Sequence, residues 1–487
     1  MRKAPFIFIC TYILIRFILL PVQHTGDGWG YACEILKGDF FAPHHLLHKP
    51  LMFGLLKFVQ IFNQNVDPIT LFSAVNLIFS GLVLYVFYLI LNHFSGYHQM
   101  NFWLLFLVAF SFGFIRYSSE NETYIVPLFF SLWGSYAFLR GKFYLGYFLM
   151  SLAVLFHQIH IFWLLAFFVP QKNKKIKWKF LLISVVFITF FYVSYAFFYN
   201  KKWYSLPFYD VSEGLVETIP GIMNFVLTPI NFIRSFIQIH GSMKPILFEV
   251  ETKYLSLILI GICFTFCFLK YRSIIWLFKK IITQIDFKSI EYRNVFFVAF
   301  CLHVVFAFYS VGNAEFMVML PFLLILWQYS NLIKMSLKGI HYFGMIILFW
   351  NLSFYLIPYS YTDFNHLSSK IDELDNVLKI HHLESGKGLV ITSNNILWEN
   401  YCEYNRLTKK STSNHLMISP QELNSNHSKY SWYLTDEINL HEHFDRKSMI
   451  QKNKNCGQLL KNMNFAKVSE SFYLSYEGIT NSNLQNQ

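Results

Sequence analysis

The sequence predicts a polytopic α-helical membrane protein of about eleven transmembrane helices, with a small C-terminal α/β domain outside the membrane. Three observations predict it. Of the 487 residues, 55% are apolar and 14% charged, where a soluble chain carries roughly a quarter charged. The apolar residues fall in runs close to the ~20 that a helix needs to cross a bilayer. After residue 357 the pattern changes to polar stretches separated by short strand-like runs. A mean hydropathy of +0.38 excludes an ordinary cytosolic enzyme, a disordered chain and a disulfide scaffold.

The candidate spans are 4–22, 68–92, 101–116, 124–139, 143–157, 159–170, 180–199, 253–270, 294–311, 316–333 and 339–357. Met1-Arg2-Lys3 before an apolar run resembles a secretion signal. The following Leu20-Pro21-Val22-Gln23-His24 offers no small-x-small cleavage site, so the first run reads as an uncleaved span. The net charge of +12 sits mostly in short stretches between the runs, which points to membrane topology and not to nucleic acid. A cytoplasmic N-terminus places Arg2-Lys3, Arg140/Lys142, Lys172–Lys179, Lys270–Arg293 and Lys334/Lys338 all inside, with Lys201-Lys202 dissenting. Segment 214–240 is apolar enough to tempt a further span, but it holds Pro220, Pro229 and Arg234. Making it span would throw the basic 270–293 loop outside, so it reads as a re-entrant or interfacial element on the outer face.

Three regions then face outward: 23–67, 200–252 and 358–487. The division is a membrane domain over 1–357 and a soluble α/β domain over 358–487, with strands at 388–392, 431–435 and 471–475 and a helix at 396–406. Of seven cysteines, Cys10, Cys263, Cys267 and Cys301 fall in apolar runs and act as small hydrophobes. Cys33, Cys402 and Cys456 fall in polar regions. Cys402 and Cys456 are a pair that an oxidising compartment would allow to bond.

The residues able to carry chemistry gather on the outer side. Asp27, between Gly26 and Gly28, follows the first run closely. A carboxylate there is suited to take a proton from a hydroxyl or to hold a divalent cation, and equally to cap a helix. His44, His45 and His48 form H-H-x-x-H beside Lys49, flanked by Pro43 and Pro50. Such a cluster is able to ligate a metal, to hydrogen-bond phosphate or sugar, or only to line an interface. The turn Arg116-Tyr-Ser-Ser-Glu120-Asn-Glu122-Thr-Tyr124 offers a cation and two acids. His157-Gln158-Ile-His160 sits among apolar residues, where unpaired polar groups are costly; it faces a cavity or clamps helices together. Asn313-Ala-Glu315 adds a further acid.

These segments together resemble the C-type (GT-C) membrane glycosyltransferases, a group that includes protein O-mannosyltransferases and lipid A aminoarabinose transferases. The residues that carry the likeness are Asp27, Pro43-His44-His45-Leu-Leu-His48, Glu120-Asn-Glu-Thr-Tyr124, His157-Gln158 and Asn313-Ala-Glu-Phe with Leu320-Pro321. The chain is similar in particular to bacterial dolichyl-phosphate-mannose-type transferases, over roughly 1–330. The resemblance implies a polyprenyl-phosphate-linked sugar as donor, a protein, lipid or glycan acceptor, and membrane lipids but no nucleic acid as partners. It implies an inverting transfer on the outer face of a bacterial inner membrane, with Asp27 as base. His44, His45, His48, Lys49, Arg116, Glu120, Glu122, His157 and His160 would hold the donor phosphate or sugar. A divalent cation, Mg or Mn, would find Asp27 and Glu120 as its ligands. Many members carry two adjacent acids where this chain has Asp27 alone.

Two other classes fit parts of the pattern. An O-antigen-type polymerase or ligase would use arginines and a histidine in a large outer loop, as Arg234 and His240 partly do. A secondary transporter would show inverted repeats and ionisable groups at the midplane, whereas these groups gather at one face.

Overall fold

The computed structural model describes residues 3–168, 174–208, 221–239, 241, 243–283, 291–310, 312–333, 337–381, 388–391, 396–408, 416–418, 432–436, 465–469 and 471–475. His240, Lys334, Cys456 and the parts 172–173 and 284–290 of the basic stretches therefore lie outside the description. The chain divides into two compact units, 1–23 with 40–362, and 24–39 with 363–487.

The first unit is helical. Among the described residues, five helices are long and apolar enough to cross a membrane: Pro68–Phe94, Trp178–Phe198, Lys253–Arg272, Ala314–Leu332 and Leu337–Tyr361. Ala4–Ile18, Ile125–Leu139, Phe143–Phe156 and Asn294–Tyr309 are apolar but shorter. Lys253–Arg272 has a mean hydropathy of 1.9 with only 11% of its most apolar window buried. Apolar surface presented outward on that scale requires lipid as its solvent, and the chain is an integral membrane protein.

Every run read from the sequence contains a helix, but not all are single or full-length. The run at 101–116 breaks into His98–Ala109 and Phe112–Tyr117, because Ser111 is extended. The break frees Phe110 O to accept from Asn351 Nδ2 (2.8 Å), and the N–H groups of Phe112 and Gly113 to donate to Phe236 O and Ser235 O (3.0 Å each). The run at 159–170 yields the helix Ile161–Ala166. At 1.5 Å per residue its six residues rise only about 9 Å, so it does not cross alone.

Sequence chemistry explains the best-formed elements. Asp67 caps Pro68–Phe94 by accepting from Thr70 N (3.2 Å), with Pro68 at the first position. The hairpin Ile125–Leu139/Phe143–Phe156 crosses at two glycines. A Cβ on Gly134 would stand 2.8 Å from Gly146 O, and one on Gly146 would stand 2.9 Å from Gly134 O. Small residues permit this approach, which is how helices associate where lipid supplies no hydrophobic drive. Ile222–Arg234 is built inside out. Ile222, Met223, Phe225, Val226, Ile230 and Ile233 are exposed, while Asn224 and Thr228 are buried. Asn231 Nδ2 donates to Gly312 O at 2.7 Å, and Asn224 to Phe308 O. Polar side chains satisfied inward with apolar ones outward mark an element seated in lipid.

The second unit carries a five-stranded sheet. Its strands are β1 (Gly388–Ile391), β2 (Leu416–Ile418), β3 (Trp432–Asp436), β4 (Phe465–Lys467) and β5 (Phe472–Ser475), in the order β2-β1-β3-β5-β4. The β2/β1/β3 pairs are parallel; β3/β5 and β5/β4 are antiparallel. The helix Leu367–Ile380 buries Leu367, Ile371, Leu374 and Leu378, one stripe at helical spacing, in a core with Trp398, Cys402, Leu434, Phe472 and Leu474. The sequence reads 23–67 as one outer loop of the membrane domain; the structure assigns 24–39 of it to this second unit. The cause is the helix Gly26–Lys37, whose Trp29, Ala32, Cys33 and Ile35 are buried.

Candidate functional site

In the first unit the loop 40–49 is tied down by its backbone. Tyr195 Oη donates to Phe40 O (2.8 Å), Tyr192 Oη to Pro43 O (3.2 Å), Lys49 Nζ to Phe41 O (2.8 Å) and Leu47 N to Leu155 O (3.2 Å). The helix begins only at His48, so His44 and His45 lie in the turn before it and do not share a helical face with His48. His44 pairs with Gln158 through both side chain and backbone, Gln158 N donating to His44 O at 3.1 Å. His45 stacks edge-on to His157, ring centres 4.5 Å apart. His48 is fully buried, and burial followed by the neighbouring Lys49 charge pushes its pKa down to about 3. Burial likewise holds His45 well below the ordinary range, with His48, His44 and Lys49 adding to it. Both imidazoles are neutral hydrogen-bonding groups near pH 7.

From His157 the contacts continue inward. Its ring lies 4.9 Å from that of Tyr124, whose hydroxyl donates to Glu315 Oε2 (2.9 Å). Asn313 caps this turn by accepting from Glu315 N (3.1 Å). His157 Nε2 and the Tyr117 hydroxyl have no hydrogen-bond partner among the described residues. Of the two roles open to His160, the clamp is the one seen. Wholly buried, it bonds Ser131 Oγ at 2.7 Å and ties the 158–160 turn to the helix Ile125–Leu139.

The turn 116–124 is threaded through buried polar contacts. Asn76 Nδ2 donates to the carbonyls of Glu120 (2.7 Å) and Glu122 (2.9 Å). The Glu120 carboxylate accepts from Arg116 Nε (3.1 and 3.4 Å) and from the Tyr355 hydroxyl (2.9 Å). Tyr355 lies in a π-helical turn, Leu352–Leu356, an irregularity that frequently marks functional sites. Arg234 stands over the Phe112 ring at 5.4 Å and donates from Nε to Gln238 Oε1 (3.3 Å). Burial, and then the like charge of Arg116, lower its pKa. Two guanidinium groups thus lie within electrostatic reach, each anchored by its Nε edge. Sequence reasoning assigned Arg234 only to a different enzyme class and did not find Tyr355 at all. With one residue in five aromatic, a further tyrosine carries no signal.

In the second unit Asp27 is exposed in the first turn of Gly26–Lys37, a helix capped by Thr25, which accepts from Gly28 N at 2.9 Å. An acid in a first turn is favoured by the helix dipole, but the cap itself is Thr25, so the capping role read for Asp27 falls to its neighbour. The two units thus hold the sequence-read residues separately, Asp27 in one and all the others in the other.

A divalent cation finds little to bind in these side chains. Glu120 is committed to Arg116 and Tyr355, and among the described residues no group of three or more His, Cys, Asp or Glu is arranged to hold a metal.

No family model matches the sequence, and no curated protein matches it. Among solved structures the chain is similar to ArnT from Cupriavidus metallidurans in the apo state. The two are 10% identical over 97% of this chain and 98% of that one, with a TM-score of 0.42. A likeness at that level assigns neither a family nor an activity.

Proposed function

We propose that the chain is a glycosyltransferase that moves a sugar from a polyprenyl-phosphate donor to an acceptor hydroxyl on the outer face of the membrane, with inversion. The observation that carries the reading is the pair Arg116 and Arg234. Glu120 already balances Arg116, and among the described residues Arg234 pairs with no carboxylate, so the second like charge beside Arg116 is costly unless a further anion sits with it. A guanidinium anchored by Nε presents its two-nitrogen end, the geometry suited to phosphate oxygens. The outward-facing apolar helices seat the chain in the bilayer, the phase in which a polyprenyl chain dissolves.

In this mechanism the acceptor oxygen attacks the anomeric carbon as the bond from that carbon to the phosphate oxygen breaks. The phosphate leaves with the electron pair. Arg116 and Arg234, with Lys49, neutralise the charge that develops on it, and His44, His45, His48 and His157 donate or accept as neutral groups. Asp27 takes the acceptor proton. Attack opposite the leaving phosphate inverts the configuration. On this reading the membrane is a bacterial inner membrane, with the N-terminus on its cytoplasmic side and the C-terminal unit outside, the orientation that the lysine and arginine distribution favours.

The test is to incubate the purified protein with a panel of polyprenyl-phosphate sugars and acceptors, and to follow release of the lipid phosphate. Release that is lost in Arg116→Ala and Arg234→Ala supports the reading. No release from any donor, with sugars moved instead from polyprenyl diphosphates, would replace it with the polymerase or ligase class, which Arg234 also suits.

A further inference from the structure

The helix that carries Asp27 is poorly able to stand alone. It has twelve residues, Gly26–Lys37, with glycines at 26, 28 and 30. Isolated helices below about 12–15 residues are marginal in water even without glycine. Its support comes from the helix Ile396–Leu407 of the same unit, and the centre of that support is Asn400.

Asn400 Nδ2 donates to Gly26 O at 2.8 Å, at the residue immediately before Asp27. Asn400 O accepts from Cys33 Sγ at 3.4 Å. The amide lies where residue 30 has no side chain: a Cβ on Gly30 would stand 2.8 Å from Asn400 Nδ2. Trp29, 6% exposed, lies between the rings of Tyr401 (5.0 Å) and Tyr404 (4.9 Å). At the far end Lys37 pairs with Glu403 (2.8 Å), which is also held by Arg406 (2.7 Å).

The contacts are graded. Those nearest Asp27 are buried and directional, whereas the Lys37–Glu403 pair is half exposed and of a kind that contributes little. A single amide bonding the helix's first carbonyl sets where the Asp27 turn lies relative to the helix Ile396–Leu407.

We propose that Asn400 is a positioning residue for Asp27, holding the turn that bears this acid from within the same unit. The inference rests on the reading of Asp27 as base. It makes the domain after 363 part of the catalytic apparatus.

The test uses the full-length protein, with Asn400→Ala, Gly30→Ala, Asp27→Asn and, as control, Lys37→Ala. Turnover and donor KM are measured, and alkylation of Cys33, 4% exposed, is followed by peptide mass spectrometry. A displaced catalytic group costs on the order of 10²-fold. Asn400→Ala and Gly30→Ala should therefore lose about ten- to a hundredfold in turnover with donor KM unchanged, and Cys33 should be alkylated several-fold faster. Lys37→Ala should leave all three near the parent values.

Faster Cys33 alkylation with parental turnover, in a protein that Asp27→Asn inactivates, would overturn the positioning role and leave the base assignment intact. A KM rise matching the loss of turnover would overturn it too. Normal turnover in Asp27→Asn would remove the base assignment and this inference together, while the arginine variants of the donor site would still report independently.

Discussion

At the scale of single residues, one side chain carries two jobs that the sequence leaves in competition. Asp27 sits in the first turn of a capped helix, and a carboxylate there is stabilised by about 0.3–1 kcal/mol of dipole interaction at an exposed site. That is too small to matter for turnover, whereas general-base help is worth about 10²–10⁴-fold. Asp27→Asn should therefore lower turnover at least a hundredfold, leave donor binding alone and shift the melting temperature little. Glu34→Gln and Asp39→Asn, in the same stretch, should cost little on all three counts. His48 makes a pH prediction. Its folded pKa of about 3 lies below the ordinary 6.5, so the unfolded chain binds the extra proton, and stability present above pH 6.5 is lost as the pH falls toward 3. Between pH 6.5 and 5 the loss is about 2 kcal/mol. Melting curves from pH 7 to 5 should show the decline, and His48→Asn should make it shallower, with His45 supplying part of what remains; an unchanged slope would mean that His48 is not buried neutral. The histidines, Arg116 and Glu120 were all legible as polar residues at the ends of apolar runs. Their partners were not, because Tyr355 and Asn76 reach them from helices distant in sequence.

Helices and turns show the same division between local and distant causes. The sequence reads 214–240 as a re-entrant or interfacial element from Pro220, Pro229 and Arg234, and Ile222–Arg234 is the helix found within it. The break at Ser111 and the π-turn at Leu352–Leu356 were not readable. Both are held by Asn351, which bonds Phe110 O, Phe236 O and Gln238 N at once, and no local pattern announces so long-range a knot. Gly312 gives the matching prediction. Its φ is +66°, and a Cβ there would stand 2.6 Å from Thr228 N and 2.7 Å from Leu227 C. Gly141 has a φ of +76° with nothing within 4 Å. Gly141→Ala should cost the backbone strain alone, about 1–2 kcal/mol. Gly312→Ala adds overpacking and should cost on the order of 2–4 kcal/mol. Thermal unfolding of the two variants side by side would show the gap. Equal losses would mean that Ile222–Arg234 moves aside freely.

For the molecule as a whole, composition and charge placement announced a membrane protein with a polar tail, and they were sufficient because both are sums over many residues. The topology they imply is that 1–3, 140–142, 172–179, 270–293 and 334–338 face the cytoplasm and everything after about 358 faces out. Single cysteines introduced at these places and labelled in intact cells should react from outside only beyond 358. A residue in 172–179 labelled from outside would invert the scheme. The boundary of the second unit was not legible, because nothing in 24–39 itself shows that the partner of Trp29 lies at 401 and 404.

That pairing has a consequence for biogenesis. Gly26 and Asn400 are 374 residues apart. At a synthesis rate of about 5–20 residues per second, roughly 20–75 s pass between the emergence of one and the other. Throughout that interval the faces of Trp29, Cys33 and Ile35 have no Ile396–Leu407 helix to close on. The order of assembly is thereby fixed: the membrane bundle can be inserted and packed while the segment bearing Asp27 waits for the last quarter of the chain. A ribosome stalled before residue 396 would leave the segment that bears Asp27 without the helix it packs on, so that segment can fold only after translation is nearly done.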